Sequence, residues 1–391
     1  MVFSYSNGLD FASRSHINFF LKEICGKLQI PESQRIKAKQ HYEAIANLLN
    51  NADESSLLSK VKVKVFPYGS LGIDTTIKPL SGEEYDLDLA VVLMMDYRLI
   101  ADPIIIQRAT FDQLYKNGIY RERIEQKDRC VRLNYAGDFH IDLMSACPAQ
   151  PHNESITALK IPQRSVAGFR WVDTDLQGFM KWFTDKSNLL GRVQFNDFRK
   201  SIEMVPLRDS QEIKPTLHYI VQLLKRSRDI FFDGDEEGKK STKSIVLTTL
   251  AGLIYEGEAD ICSAFGKTID KIVELTENLQ QLHLCNPINH HEDFSESWKQ
   301  NPARYKKFRL WAVAIQTEWK KILSGNYKLP ELAKLLGALF GTSVTGDIFS
   351  DYARMIATAQ KSNLVGVTKD GVLTSGPALV TSISRHAFYG D

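Results

Sequence analysis

Two aspartates stand one residue apart inside an apolar segment, Tyr85–Met94, whose sequence is YDLDLAVVLM. The segment predicts a strand, and alternation along a strand places Asp86 and Asp88 on the same face. Two adjacent carboxylates repel each other, and their desolvation is costly without a cation between them. Capping of a strand end or pairing with Lys or Arg would explain one such aspartate. For two at this spacing, a divalent cation is the favoured interpretation.

A third carboxylate, Asp142, is enclosed by apolar neighbours in FHIDLMSA. It lies on the second arm of a predicted hairpin that turns at Ala-Gly-Asp within RCVRLNYAGDFHIDLMSA. If that arm lies beside the first strand, three carboxylates meet at one edge. Such hard oxygen ligands suit Mg²⁺ or Mn²⁺ better than zinc. Two such ions about 4 Å apart clamp the attacking and leaving oxygens of an in-line phosphoryl displacement.

A Gly-Ser turn precedes the first aspartate pair. Gly69 permits close backbone approach, and Ser70 offers a hydroxyl and an N–H group to a phosphate oxygen. Such a turn is common and weak evidence alone. Followed at this distance by a D-x-D strand, it becomes a far more specific indication of phosphate binding.

The elements that must position these side chains divide the chain into two lobes. Helical periodicity dominates the first 60 residues, strands and one helix follow, and helices dominate after about Pro162. We therefore predict an α/β lobe over 1–165, a helical lobe over 166–380 and an exposed tail over 381–391. A cleft between two such lobes is a common place for a ligand.

Composition excludes several classes of protein. The formal net charge is only +2, from 49 basic and 47 acidic residues, which argues against non-specific coating of nucleic acid. The five cysteines are scattered and form no C-x-x-C pair, so a disulfide framework is not expected. The first residues do not resemble a secretory signal, and no apolar run approaches the roughly 18 residues of a membrane helix. The prediction is a cytoplasmic protein without a membrane partner.

With these residues in place, the chain resembles the nucleotidyltransferase superfamily of DNA polymerase beta. Within it, the likeness is to the bacterial relatives of cyclic GMP-AMP synthase, which make cyclic di- and trinucleotide signals. Segments covering most of the chain occur in the family's order: YGSLGIDTTIKP, EEYDLDLAVVL, CVRLNYAGDFHIDLMSA, DTDLQGFMKWF, IVQLLKRSRDIFF, KSIVLTTLAG, CNPINHHEDFSESW and HAFYG. The resemblance implies an α+β fold, a polymerase-beta-like core of mixed sheet and helices plus a C-terminal helical lobe, with nucleoside triphosphates (NTPs) bound between them.

The resemblance also implies roles for individual residues. Asp86 and Asp88 would bind two Mg²⁺ or Mn²⁺ ions and the donor triphosphate, and Asp142 would complete the metal site and help activate the attacking ribose hydroxyl. Gly69 and Ser70 would hold the donor phosphates.

Two positions of the helical lobe carry over as well. Lys225 stands where the family places a lysine on the donor triphosphate, although a solvated lysine is the plainer interpretation from the sequence alone. Ser244 lies in the first turn of a predicted helix, whose free N–H groups attract phosphate. Simple capping is the alternative for this serine.

Some positions depart from the family. Tyr68 replaces a common glutamine, and Ile245 replaces an aromatic residue that stacks on the donor base in some members, so base choice stays open. The zinc-binding insertion of the animal DNA-sensing enzyme is not visible in the sequence, which predicts activity without a nucleic-acid ligand. The spacing of Cys285, His290 and His291 matches no standard zinc signature, and a loop is favoured there.

The sequence thus predicts an enzyme that joins NTPs, ATP and a second such as GTP, into a cyclic di- or trinucleotide and releases pyrophosphate. The resemblance implies antiphage signalling through a separate effector. It also implies an exposed tail ending in HAFYGD that is offered to a partner protein, either for covalent attachment or for capture, with a disordered end as the alternative. A linear oligonucleotide synthase, a terminal RNA nucleotidyltransferase and a non-catalytic nucleotide-binding scaffold remain alternatives.

Overall fold

The computed structural model describes residues 11–382 except 81–83, 136–138, 152, 154–155, 190–213, 278–280, 326, 363–364, 368–372 and 376–380. The turn of the predicted hairpin and nearly all of the predicted tail therefore lie outside the described residues. The strands are β1 (Val63–Pro67), β2 (Tyr85–Leu93), β3 (Ile124–Gln126), β4 (Val131–Tyr135), β5 (Phe139–Pro148), β6 (Leu159–Ser165), β7 (Gly168–Thr174), β8 (Val365–Val367), β9 (Leu373–Ser375) and β10 (Thr381–Ser382).

Helices account for most of the remaining described chain. They are α1 (Phe11–Lys27), α2 (Glu32–Asn50), α3 (Gly69–Gly72), α4 (Ile104–Lys116), α5 (Leu176–Ser187), α6 (Thr216–Phe231), α7 (Glu236–Ser241), α8 (Ser244–Ile254), α9 (Ile261–Glu277), α10 (Glu296–Gln300), α11 (Pro302–Ser324), α12 (Leu329–Phe340) and α13 (Thr342–Lys361). None of the helices within the described residues combines the length and apolarity needed to cross a bilayer. Proline opens several of them, and Asn301 caps α11 by accepting from the N–H of Ala303.

A seven-stranded mixed sheet forms the first lobe. Its main order is β1-β2-β5-β4-β3, β6 pairs with the end of β5, and β7 pairs with β6. Only β2 and β5 run parallel among the paired strands described in this sheet. The α+β prediction is confirmed. The sheet extends beyond the predicted lobe boundary at 165, because β7 returns along β6 through Thr174.

The helical lobe is built around α6, whose side chains are mostly buried. Its apolar positions pack into a large core with α1, α8, α9 and α11. Several buried residues of α6 are polar or charged: His218, Gln222, Lys225, Arg226, Ser227 and Asp229. Buried polar groups need hydrogen-bond partners, and much of this set finds them at the sheet lobe. A separate three-stranded sheet, in the order β10-β8-β9, follows α13.

Candidate functional site

The three aspartates meet on one face of the central parallel strand pair. Asp88 is in register with Asp142 across β2 and β5, and Asp86 precedes Asp88 by two residues on the same face. The opposite face buries Leu87 and Leu89 in the core of the sheet lobe. Asp86 is largely exposed, whereas the Asp142 side chain is only 18% exposed. The parallel strands β2 and β5 thus bring three carboxylates together where this face of the sheet becomes exposed to solvent.

The pKa of Asp88 is affected by its burial and by the two neighbouring carboxylates. Its pKa is raised to about 7, first because burial penalises the charged carboxylate and then because Asp86 and Asp142 repel it. Lys225 and Arg132 oppose the shift. The charged form of the Asp88 carboxyl is therefore disfavoured in this environment. A bound divalent cation would stabilise it.

Arg132 supplies part of that charge from β4. It pairs with Asp142 in the antiparallel register of β4 and β5. Its guanidinium donates two hydrogen bonds of 2.7 Å, one to each oxygen of the Asp142 carboxylate, and lies 3.9 Å from Asp86. A metal ion at Asp142 would have to share this carboxylate with Arg132 or displace the guanidinium.

The Gly-Ser turn is seated directly on Asp88. Gly69 has φ +60°, and a Cβ added there would lie 2.3 Å from Oδ2 of Asp88. The N–H of Tyr68 donates to the carbonyl of Asp88 at 3.0 Å. Glycine is therefore required twice at this position, by its backbone conformation and by the closeness of the carboxylate. Ser70 follows in the same turn, and its hydroxyl accepts a hydrogen bond from Thr76 at 3.2 Å.

Lys225 reaches the loop that follows this turn rather than solvent. Its ammonium is buried and donates to the carbonyl and hydroxyl oxygens of Thr75 at 3.0 and 3.2 Å. Thr75 in turn donates its N–H to the carbonyl of Ser70 at 2.9 Å. Burial, followed by repulsion from Arg228, lowers the pKa of Lys225 to about 7. The interpretation of Lys225 as a solvated side chain is therefore wrong.

The same loop is held by a row of side chains from α6 and the residues just before it, which we call the α6 clamp. Each member donates to a main-chain carbonyl of the segment 74–78. The pairs are Lys214 to Asp74 at 3.1 Å, Lys225 to Thr75 at 3.0 Å, Gln222 to Thr76 at 3.0 Å and Arg226 to Lys78 at 2.6 Å. The clamp joins the helical lobe to the loop that carries on from Ser70.

Ser244 is the first residue of α8, as predicted. Its hydroxyl accepts a hydrogen bond of 3.0 Å from Arg228, which also donates to the carbonyl of Thr242 at 3.1 Å. Arg228 follows Lys225 by three residues on α6. Helix α6 therefore carries one predicted phosphate contact, Lys225, and holds the other, Ser244, through Arg228. Ile245, where an aromatic residue would stack on a base, packs instead against the helical core.

Sequence reasoning missed the partners that fix these side chains. Arg132 was recoverable, because counting outward from the hairpin turn pairs it with Asp142. The members of the α6 clamp other than Lys225 could not be recognised from the neighbouring sequence. Their carbonyl partners lie about 140 residues or more away in the chain.

The sequence of the sheet lobe matches a known protein family. Residues 16–187 match the family model described as Second Messenger Oligonucleotide or Dinucleotide Synthetase domain. The matched range holds the entire seven-stranded sheet, the Gly-Ser turn and all three aspartates.

Similarity extends beyond this domain. A protein of Roseivirga ehrenbergii named c-di-GMP synthase is 29% identical over 388 residues, which cover 97% of this chain and 98% of that protein. The chain is therefore a homologue of cyclic dinucleotide synthases, and the prediction of a nucleotidyltransferase of this kind is confirmed.

Solved structures share the fold of the synthetase domain and the helical lobe. The Bradyrhizobium diazoefficiens CD-NTase CdnG, solved in complex with GTP, is 18% identical with a TM-score of 0.67, covering 86% of this chain and 99% of that one. The Vibrio cholerae cyclic AMP-GMP synthase DncV is 17% identical with a TM-score of 0.55, covering 86% and 82%. Both likenesses confirm the predicted fold.

Proposed function

We propose that this protein joins two NTPs and closes them into a cyclic dinucleotide, releasing pyrophosphate at each step. The observation that carries the proposal is the in-register pairing of Asp88 with Asp142, beside Asp86, under the Gly-Ser turn. GTP is the first substrate to test, because the Roseivirga relative is named c-di-GMP synthase. ATP as one or both substrates is the alternative.

The aspartate site fits Mg²⁺ or Mn²⁺. Three carboxylates offer only hard oxygen donors, and the pKa of Asp88 is raised by burial and then by repulsion from Asp86 and Asp142, all of which a bound cation would offset. We propose that Asp86 and Asp88 hold two such ions and that Asp142 holds one of them. When bound, the ions neutralise the triphosphate and lower the pKa of the attacking ribose hydroxyl.

The protein's own groups then position the reactants. Asp142 accepts the proton of the attacking hydroxyl or orients that hydroxyl. The N–H groups and hydroxyl of the Gly69–Ser70 turn bind the donor phosphates. The ammonium of Lys225 and the hydroxyl of Ser244 bind the triphosphate from the helical lobe, which requires Lys225 to exchange its contacts with Thr75 for phosphate oxygens.

We further propose that the product is a second messenger in antiphage defence and activates a separate effector. The tail 381–391 would then be the segment offered to a partner protein. In cells carrying the protein and its effector, Asp88→Asn should abolish protection against phage.

The direct test is incubation of purified protein with GTP, ATP or both, with Mg²⁺ or Mn²⁺, followed by mass spectrometry. We expect a phosphatase-resistant cyclic dinucleotide. Asp88→Asn and Asp142→Asn should reduce its formation at least about 1,000-fold, the scale of losing a central catalytic group. Asp112→Asn, an exposed aspartate of α4, is the matched control and should leave turnover unchanged.

The other outcomes separate the alternatives. A ladder of linear products would identify a linear oligonucleotide synthase or a terminal nucleotidyltransferase. NTPs left intact under all conditions would favour a nucleotide-binding scaffold, and full activity of Asp142→Asn would overturn the assignment of the site.

A further inference from the structure

A second group of metal-ligating side chains lies in the helical lobe, in the segment between α9 and α10. Cys285 and Asp293 face each other across an isolated antiparallel bridge. His283 precedes Cys285 by two residues, and Leu284 between them is buried. Since alternate residues of an extended chain share a face, His283 and Cys285 both lie on the outer face, away from the core that holds Leu284.

The three side chains are close enough to share one ion. Sγ of Cys285 lies 3.2 Å from Nε2 of His283, and Oδ2 of Asp293 lies 3.4 Å from Nδ1 of the same ring. One ligand atom from each residue lies within 4.8 Å of the other two. Ligands around a tetrahedral zinc ion stand about 3.3–3.7 Å apart, given bond lengths of about 2.0–2.3 Å. Because the thiol lies beside Nε2 and the carboxylate beside Nδ1, binding one common ion requires the exposed imidazole to reorient so that one nitrogen faces that ion.

We propose that His283, Cys285 and Asp293 bind one divalent transition-metal ion of the zinc class. A thiolate, an imidazole and a carboxylate form a donor set that zinc prefers and Mg²⁺ does not. Three protein ligands leave the fourth tetrahedral position to water. This site is separate from the aspartates of the sheet, and the proposal does not depend on the proposed function.

The existing contacts of Asp293 are compatible with an ion. Its Oδ1 accepts hydrogen bonds from the N–H and hydroxyl of Ser295, which fix the orientation of the carboxylate. Its Oδ2 is paired at 2.6 Å with Lys299, whose side chain is 56% exposed. An ion at Oδ2 would replace this exposed ammonium, whereas the two hydrogen bonds from Ser295 would remain to support the ligand.

The ion would fasten the loop 286–292 at its two ends. Within this loop Glu292 accepts a hydrogen bond of 2.9 Å from Thr174, at the end of β7, and another of 2.8 Å from Asn286. Closing the loop with a metal ligand set therefore also secures its contact with the sheet lobe. This is a structural role, since the three ligands bind no reacting group in the proposed function.

The test is a titration of the metal-free full-length protein with Co²⁺ alone, followed by absorption spectroscopy. A thiolate bound to Co²⁺ gives a near-ultraviolet charge-transfer band that oxygen ligands do not give. We expect this band to saturate at one ion per chain and to disappear when Zn²⁺ is added. Cys285→Ser should remove the band, and Asp293→Asn should weaken Co²⁺ binding at least about tenfold, since changes beyond the ligands alone reach that size.

Two controls locate the band. Cys130→Ser changes a cysteine that interacts with Asp142, where Co²⁺ bound by the aspartates could meet a thiol, and it should leave the band unchanged. His290→Ala changes a histidine of the same loop outside the cluster and should also leave it unchanged. The proposal is overturned if wild type gives no band, if the band survives Cys285→Ser, or if Cys130→Ser removes it.

Discussion

At Gly69, the Gly-Ser turn lies so close to Asp88 that there is no room for a side-chain Cβ. In Gly69→Ala, the new Cβ would lie 2.3 Å from Oδ2 of Asp88, and the left-handed backbone would add roughly 1–2 kcal/mol of strain. We expect Asp88 to be displaced and the rate of product formation to fall about 100-fold, as a misplacement of about 1 Å can cause. Gly118→Ala is the matched control, since nothing lies within 4 Å of its added Cβ. Equal activity of the two variants would show that the closeness to Asp88 does not matter.

The pKa of Lys225 gives a second residue-scale prediction. Burial lowers this pKa to about 7, so in the absence of nucleotide Lys225 is mostly neutral above that pH and charged below it. A bound triphosphate restores the charge. The contribution of Lys225 to proton uptake on NTP binding, measured as the difference between wild type and Lys225→Met, should therefore be close to one proton at about pH 8 and almost none at about pH 6.

Calorimetric titrations in buffers of different ionisation enthalpy measure this uptake. Lys225→Met, which keeps the buried stem but cannot be charged, should lack this contribution, whereas proton release from Asp88, whose pKa is also about 7, is common to both proteins. An uptake that does not differ between wild type and Lys225→Met would mean that Lys225 does not meet the triphosphate.

At the scale of elements, the α6 clamp depends on a buried charge network around Asp74. This residue has φ +53° in the loop after the Gly-Ser turn. Its carboxylate lies 3.0 Å from the ammonium of Lys214 and 3.5 Å from the guanidinium of Arg35, and both cationic side chains are under 10% exposed. Asp74→Asn retains a residue type that tolerates this backbone but leaves two buried cations without the carboxylate.

We expect Asp74→Asn to lower the free energy of unfolding by about 3 kcal/mol, the size typical of breaking a buried ion pair. Denaturant titration provides the measurement. Asp351→Asn is the control, because its ion pairs with Lys27 and Arg354 join side chains that are about half exposed or more and should contribute less than about 0.5 kcal/mol each. A loss for Asp74→Asn no larger than that of the control would contradict the clamp's stabilising role.

The strands of the site were predictable from the sequence, and the clamp was not. Alternation with a period of two placed Asp86 and Asp88 on one strand face, and the predicted hairpin paired β4 with β5. The parallel pairing of β2 with β5, which brings Asp142 to the other two aspartates, was a condition of the prediction and not a result of it. Helical periodicity indicates that α6 has a buried face, but not what that face contacts. Gln222 and Lys225 hold carbonyls 146 and 150 residues away, and only the folded arrangement of both lobes determines such pairs.

At the scale of the whole molecule, the two lobes share buried apolar surface. Ile73 belongs to the loop after the Gly-Ser turn, yet it is buried in the core cluster of the helical lobe with Leu217 and Val221. The α6 clamp adds hydrogen bonds across the same boundary. The lobes are therefore expected to unfold together.

We predict one calorimetric transition whose midpoint agrees with those from far-ultraviolet circular dichroism and tryptophan fluorescence. Ile73→Ala should lower stability by about 3 kcal/mol and keep the transition single, since it removes a buried side chain from the shared core. Two separated transitions in the wild type would show that the lobes are independent.

The parallel pairing of β2 with β5 has a consequence for how this architecture can vary. Between Asp88 and Asp142 the chain makes a long excursion through α4, β3 and β4, and lengthening a surface loop there adds little free energy because closure entropy grows only with the logarithm of length. A single residue gained or lost inside either strand would instead send one carboxylate through to the opposite side of the sheet. Insertions should therefore be tolerated between these strands, whereas the strands themselves admit substitutions but no change in length.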